Sequence, residues 1–209
     1  MKKKLMTVLA LVLVIALSVA GTYAYLTDSK SVKNTFTVGK VAITLDEAKV
    51  NVDGQKLNKD GEVAAPNEEL APRVNKNSYK LMPGTFYVKD PTVVVTGGSE
   101  NCWLFVKVEN GVAAYEKAGD TTIAKQIETK GWTALDAVNY PGVYYKSVTK
   151  NDAVQTFVVF ENFTIADKAD EVAGWSNVTA ENTNITVTAY AIQADGFTTP
   201  AAAWAEVSK

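Results

Sequence analysis

The chain of 209 residues contains no histidine. That absence removes every Ser-His and Cys-His dyad, the His-Glu-x-x-His zinc helix and most transition-metal sites. Carboxylate pairs and a Ser-Lys dyad stay formally open to hydrolysis, but no motif positions such groups, and no cofactor is implied. Cys102 is the single cysteine, so no intrachain disulfide can form. It reads as a small buried hydrophobe at the start of an apolar strand. An intermolecular bridge or a lipid anchor is the alternative, and a lipidated cysteine would be expected at a signal cleavage site instead. Positive charge is not in excess: 21 Lys and Arg stand against 23 Asp and Glu, a net charge of −2. Nothing electrostatic favours nucleic acid, and there is no basic amphipathic helix for a membrane surface. Fixed-period repeats and long linkers are also missing.

The longest apolar run, Leu5 to Ala20, is interrupted only by Thr7 and Ser18. At helical rise it reaches ~24 Å, short of the ~30 Å hydrocarbon core. Lys2, Lys3 and Lys4 precede it, and the small residues Ala20, Gly21, Thr22 and Ala24 follow. This is the layout of a secretory signal peptide, so the membrane is met only as a precursor. Cleavage after Ser18-Val19-Ala20 and cleavage after Thr22-Tyr23-Ala24 both satisfy the small-residue rule. Removing residues 1–24 leaves 185 residues, enough for one domain, and takes three lysines but no acid, so the charge becomes −5.

Beyond the seam, residues 25–34 read as a mobile N-terminal segment, and alternation begins at Thr35. One bent strand or two short ones are expected to Leu45, with the period slipping at Gly39-Lys40. Residues 46–80 read as a hairpin and an exposed loop, from Asp53-Gly54, Asp60-Gly61, Pro66 and Pro72. Strands are expected over Phe86 to Lys89 and Pro91 to Thr96, then Cys102 to Glu109 with both faces apolar at its start. Asp120 is placed to cap a short helix over Thr121 to Lys130, stopped at Gly131. A Pro141-Gly142 turn leads to a strand over Val143 to Val148, with Tyr144 and Tyr145 on opposite faces. Ala153 to Phe160 is another strand, extending towards Ile165, and Asp167 to Ser176 a polar loop or helical turn. Asn184 to Ala194 is a long strand, with Ile185, Val187, Ala189 and Ala191 facing one way and Tyr190 and Ile192 the other. Pro200 opens a closing helix. Short strands, turn dipeptides and two short peripheral helices specify an all-β antiparallel β-sandwich in one domain over residues 25–209.

The lysine-rich start, Gly21-Thr22-Tyr23-Ala24-Tyr25-Leu26-Thr27-Asp28 and Asn34-Thr35-Phe36-Thr37-Val38-Gly39 resemble the TasA/camelysin family. Tyr79-Lys80-Leu81-Met82-Pro83-Gly84, Lys89-Asp90-Pro91, Asn101-Cys102-Trp103-Leu104-Phe105-Val106 and Ala189 to Phe197 are similar, more loosely, to a Firmicutes branch of such exported proteins. The resemblance implies a jelly-roll-like sandwich and processing by a SipW-type signal peptidase between Ala24 and Tyr25. It also implies a secreted, non-enzymatic structural protein of the cell surface or biofilm matrix. Such subunits form homo-oligomeric fibres by N-terminal strand donation, with a possible accessory matrix protein. The donor strand would be Tyr25, Leu26, Thr27, Asp28, Ser29, Lys30, Ser31, Val32 and Lys33.

Alternation along that donor leaves only Tyr25, Leu26 and Val32 able to bury much area. At ~1.5–3 kcal/mol per large side chain they supply at most about 9 kcal/mol. Association costs about 4–15 kcal/mol, so backbone pairing must contribute. Two other readings are open to the residues. One is a monomeric adhesin or carbohydrate-binding module using Trp103, Trp132, Tyr144, Tyr145 and Trp175, although strand aromatics more often belong to a core. The other is a camelysin-like metalloprotease, for which a zinc site would have only carboxylates and Cys102 to draw on.

Overall fold

The computed structural model describes residues 40–167, 175–179 and 182–207. The expected cleavage site Ala24–Tyr25, the donor segment Tyr25 to Lys33 and the first part of the Thr35–Leu45 strand lie outside the described residues. Nine strands are found among the described residues: β1 Ile43–Asp46, β2 Phe86–Val88, β3 Thr92–Val95, β4 Cys102–Asn110, β5 Thr133–Asp136, β6 Tyr140–Val148, β7 Gln155–Val158, β8 Asn162–Thr164 and β9 Ile185–Gln193. Two helices, α1 Ile123–Thr129 and α2 Pro200–Val207, and a 3-10 turn Trp175–Asn177 complete them. All strand pairs are antiparallel, in the orders β1-β3-β7, β2-β8 and β5-β6-β4-β9, and the fold is the expected all-β sandwich.

β4 runs through the middle of the four-stranded sheet because both of its faces are apolar. Cys102, Leu104 and Val106 are fully buried on the inner face. They pack towards Val93 and Val95 of β3, Ile123 and Ile127 of α1, and the stacked rings of Tyr87 and Phe163, 5.0 Å apart. Each large side chain so enclosed contributes roughly 1.5–3 kcal/mol. On the outer face Phe105 lies opposite Tyr145 and Tyr190, and α2 covers all three with Trp204. Tyr144, opposite Val106, packs on the inner core, so the two adjacent tyrosines face opposite ways as the alternation requires. The division of β9 into Ile185, Val187, Ala189 and Ala191 inside and Tyr190 and Ile192 outside is also as read.

Four local expectations are corrected. Asp120 does not cap α1: Thr122 is the N-cap but its side chain makes no bond to the helix N–H groups, and Glu116 Oε2 accepts the Ile123 N–H at 2.7 Å instead. A carboxylate from the preceding loop thus satisfies the orphan donor. Pro141-Gly142 is not a turn but lies inside β6, and the turn sits earlier, where Asp136 Oδ1 accepts from Val138 and Asn139 N–H at 2.8 and 3.0 Å. β5, which pairs with β6 across a bulge, was not anticipated. Finally, 153–165 is two strands in two sheets, β7 and β8. The break at Val159 to Glu161 matches the Asp90-Pro91 break between β2 and β3, to which it is bonded by Val159 N–H to Pro91 O, 2.8 Å, and Lys89 N–H to Glu161 O, 3.1 Å. Proline lacks the donor to carry a ladder through that point.

Candidate functional site at the open sheet edge

Among the described residues the sandwich is incomplete on one side. β1 ends the first sheet and β9 ends the four-stranded one, and both border a single groove of about 480 Å³. Leu45, Asp46 and Glu47 line it from β1, and Asn184, Ile185, Thr186 and Val187 from β9. The phase of each ladder fixes which backbone groups look into the open side. Thr96 N–H donates to Ala42 O at 2.9 Å, so Thr44 and Asp46 turn their backbone to β3, and Ile43 and Leu45 turn theirs outward. On β9, Gly111 N–H donates to Asn184 O at 2.9 Å and Ala194 N–H to Asn101 O at 2.7 Å, which directs Ile185, Val187, Ala189 and Ala191 outward. Among the described residues no strand pairs with either outer edge.

Burial tells the same story. The inward side chains of β4 are sealed, whereas Ile185, Val187, Ala189 and Ala191 of β9, and Ile43 and Leu45 of β1, are only half-buried although they face the same core. An edge left unpaired among the described residues, above half-buried apolar side chains, is a template for another strand.

The rim is built by the segment 47–81, which is more than the exposed hairpin and loop expected. Glu47 and Val74 exchange both backbone bonds at 2.8 Å, closing the edge just beyond β1. Arg73, the single arginine of the chain, holds this closure. Its Nε donates to Asp46 Oδ1, and its Nη2 to Asp90 O at 2.9 Å and Thr92 Oγ1 at 2.9 Å. Partial burial opposes its charge, yet the bonds to Asp46 and Asp90 raise its pKa above the ordinary value. Asp90 Oδ1 also accepts the Ala48 N–H at 2.6 Å. Sequence reasoning missed this cluster; a lone arginine among lysines, beside Pro72, was the available signal, since only its planar fork can hold several acceptors at once.

The aromatics considered as a carbohydrate platform sit in or against the two cores. Trp132 is 3% exposed and donates through Nε1 to Val158 O at 2.9 Å, and Trp175 meets Tyr115 edge-on. Cys102 is fully buried, and that burial pushes its thiol up from 9.0 to about 11. The shift holds the proton on in the folded state, so its stabilising contribution is complete below about pH 9 and fades as pH rises towards 11. A disulfide reagent at pH 8 is accordingly expected to leave Cys102 unmodified in native protein and to titrate one thiol in urea; rapid native reaction would contradict the burial.

Residues 1–65 match the family model described as Camelysin metallo-endopeptidase, which bears out the resemblance over that stretch. No curated protein and no solved structure matches the chain. The family description implies a catalytic metal, and the residues here do not fit one. Histidine is absent from the sequence, Cys102 is sealed inside the core, and the described residues hold no group of three or more His, Cys, Asp or Glu that could bind an ion. The carboxylates among the groove-lining residues, Asp46 and Glu47, are already held by Arg73 and Lys89. No helix among the described residues is long and apolar enough to cross a membrane.

Proposed function

We propose that the chain, with its camelysin-type N-terminus, is exported, cut between Ala24 and Tyr25, and serves as a non-enzymatic structural subunit of a cell-surface or biofilm-matrix fibre. The freed segment Tyr25 to Lys33 of one copy adds as a strand to the open side of the next. The observation that supports this reading is the pair of edges, β1 and β9, left without a paired strand among the described residues, flanking a groove in which Leu45, Ile185 and Val187 are only half-buried. Main-chain bonds from Ile43, Leu45, Ile185 and Val187 give the incoming strand affinity, and the floor selects its alternate side chains. An accessory matrix protein and the signal peptidase are the further partners of this scheme.

Val187→Lys tests it. A lysine on the groove floor reaches water while the groove is vacant but opposes an arriving strand. Filament formation by protein beginning at Tyr25 is expected to be lost in electron micrographs, while circular dichroism of the monomer keeps its β signature. Filaments as abundant as those of the parent would remove the β9 edge from the scheme. Proteolysis, which the family description favours, predicts casein hydrolysis that a chelator abolishes; the mismatched donor set leads us to expect none.

A further inference from the structure

Beside the groove, a buried amine and a buried carboxylate meet a half-buried amide. Lys89 follows β2 and is 9% exposed, and Glu47 follows β1 and is 5% exposed. Lys89 Nζ lies 2.6 Å from Glu47 Oε2. Asn77 Nδ2 donates to the other oxygen, Oε1, at 2.9 Å, so one carboxylate holds both nitrogen groups. The Asn77 carbonyl is polarised in turn: its Oδ1 accepts the Val50 N–H at 3.1 Å. The ring of Tyr79 walls the ammonium at 5.8 Å. Ion pairs taken out of water gain little net stability over apolar packing. Placing a nucleophile and an electrophile on one proton carrier, however, is what amide exchange needs.

We propose that Lys89 and Asn77 condense into an intramolecular amide, with Glu47 as the catalytic acid and base. Glu47 takes a proton from the Lys89 ammonium, and the freed lone pair attacks Asn77 Cγ. The new C–N bond forms as the carbonyl pair moves onto Oδ1, where the Val50 N–H stabilises it. Glu47 passes its proton to Nδ2 and removes a second from Nζ. The pair on Oδ1 returns, the Cγ–Nδ2 bond breaks, and ammonia leaves, finally carrying the proton borrowed from Glu47 as ammonium. No oxidant, metal or nucleotide is required, because one amide replaces another. The groove, which both Lys89 and Asn77 line, gives ammonia its exit to solvent. The bond ties segment 47–81 to the bend between β2 and β3, a covalent brace in a chain whose lone cysteine permits no internal disulfide. It does not rest on strand donation.

The test is mass spectrometry of the secreted protein, intact and after trypsin. The expected result is an intact mass lower than the sequence mass by one ammonia. The same loss is expected in a branched peptide joining Asn77–Lys80 to Leu81–Lys107, uncut after Lys89. Glu47→Gln, Lys89→Arg and Asn77→Ala are each expected to restore the full mass, and Asn77→Asp to lose water in place of ammonia. A linear peptide ending at Lys89 with unchanged mass in the parent protein overturns the proposal whether or not any variant folds. An ammonia loss mapped elsewhere, or one that persists in Glu47→Gln, overturns it equally.

Discussion

Trp204→Ala is expected to destabilise the protein by about 3–5 kcal/mol, the range for removing a large buried aromatic side chain. Trp204 is 6% exposed and closes the outer face of the four-stranded sheet, its ring 5.3 Å from Phe105 and 5.2 Å from Tyr190. Its position is fixed by helix α2, which Thr199 starts by accepting the Ala202 N–H at 3.2 Å on its hydroxyl, with Pro200 in the first turn. Without the indole, Phe105 and Tyr190 lose their cover and a cavity opens over β4 and β9. Urea titration followed by circular dichroism measures the loss, and the melting temperature should fall by roughly 6–20 °C. A change under about 1 kcal/mol would mean that the C-terminal helix is not part of the cooperative fold.

Gly142→Ala is the second large effect, about 2–5 kcal/mol destabilising. Gly142 has φ +75° inside β6, and an added Cβ would lie 2.4 Å from Val108 O on the neighbouring β4. The left-handed backbone costs a side chain about 1–2 kcal/mol, and relieving a clash with the backbone of the central strand adds about 1–3 kcal/mol. Gly61, with φ +86° and open space around it, is the internal control: the strain applies there but the clash does not. Thermal melts of both variants separate the two contributions, and equal shifts would show that the approach to Val108 is not close in solution.

The same glycine shows where sequence reading stopped. Pro-Gly is a turn signal by local chemistry, and here the glycine serves a close approach between strands that only the tertiary arrangement reveals. Where a strand is set by its own alternation, the reading held. β4 with two apolar faces, β9 with alanines and valines inside and Tyr190 outside, and Tyr144 against Tyr145 all follow from a period of two. Segment 47–81 was opaque because side chains, not periodicity, order it. Asn58 Oδ1 accepts from Asp60 and Glu62 N–H at 3.1 and 2.9 Å, and Asn51 Oδ1 does the same for Asp53 and Gln55 at 3.1 and 2.9 Å. Such asparagine-centred turns are visible singly in a sequence, but not how Arg73 and Glu47 gather them onto a sheet edge. The open side was equally hidden: which strand ends a sheet depends on pairing between distant segments, as between β1 and β3 or β4 and β9.

The expected export signal lies in the residues before β1. A lysine-rich start, a short apolar run and a small-residue seam are read from local composition, and the family match over residues 1–65 covers the same stretch. The acceptor side rests on the fold, and the two meet only if the donor reaches the groove of another copy.

Electron microscopy of two purified proteins, one beginning at Tyr25 and one beginning at Asn34, asks whether it does. The strand-donation account predicts filaments from the first and dispersed particles of the same β content from the second. Filaments from both alike, or from neither, would contradict it.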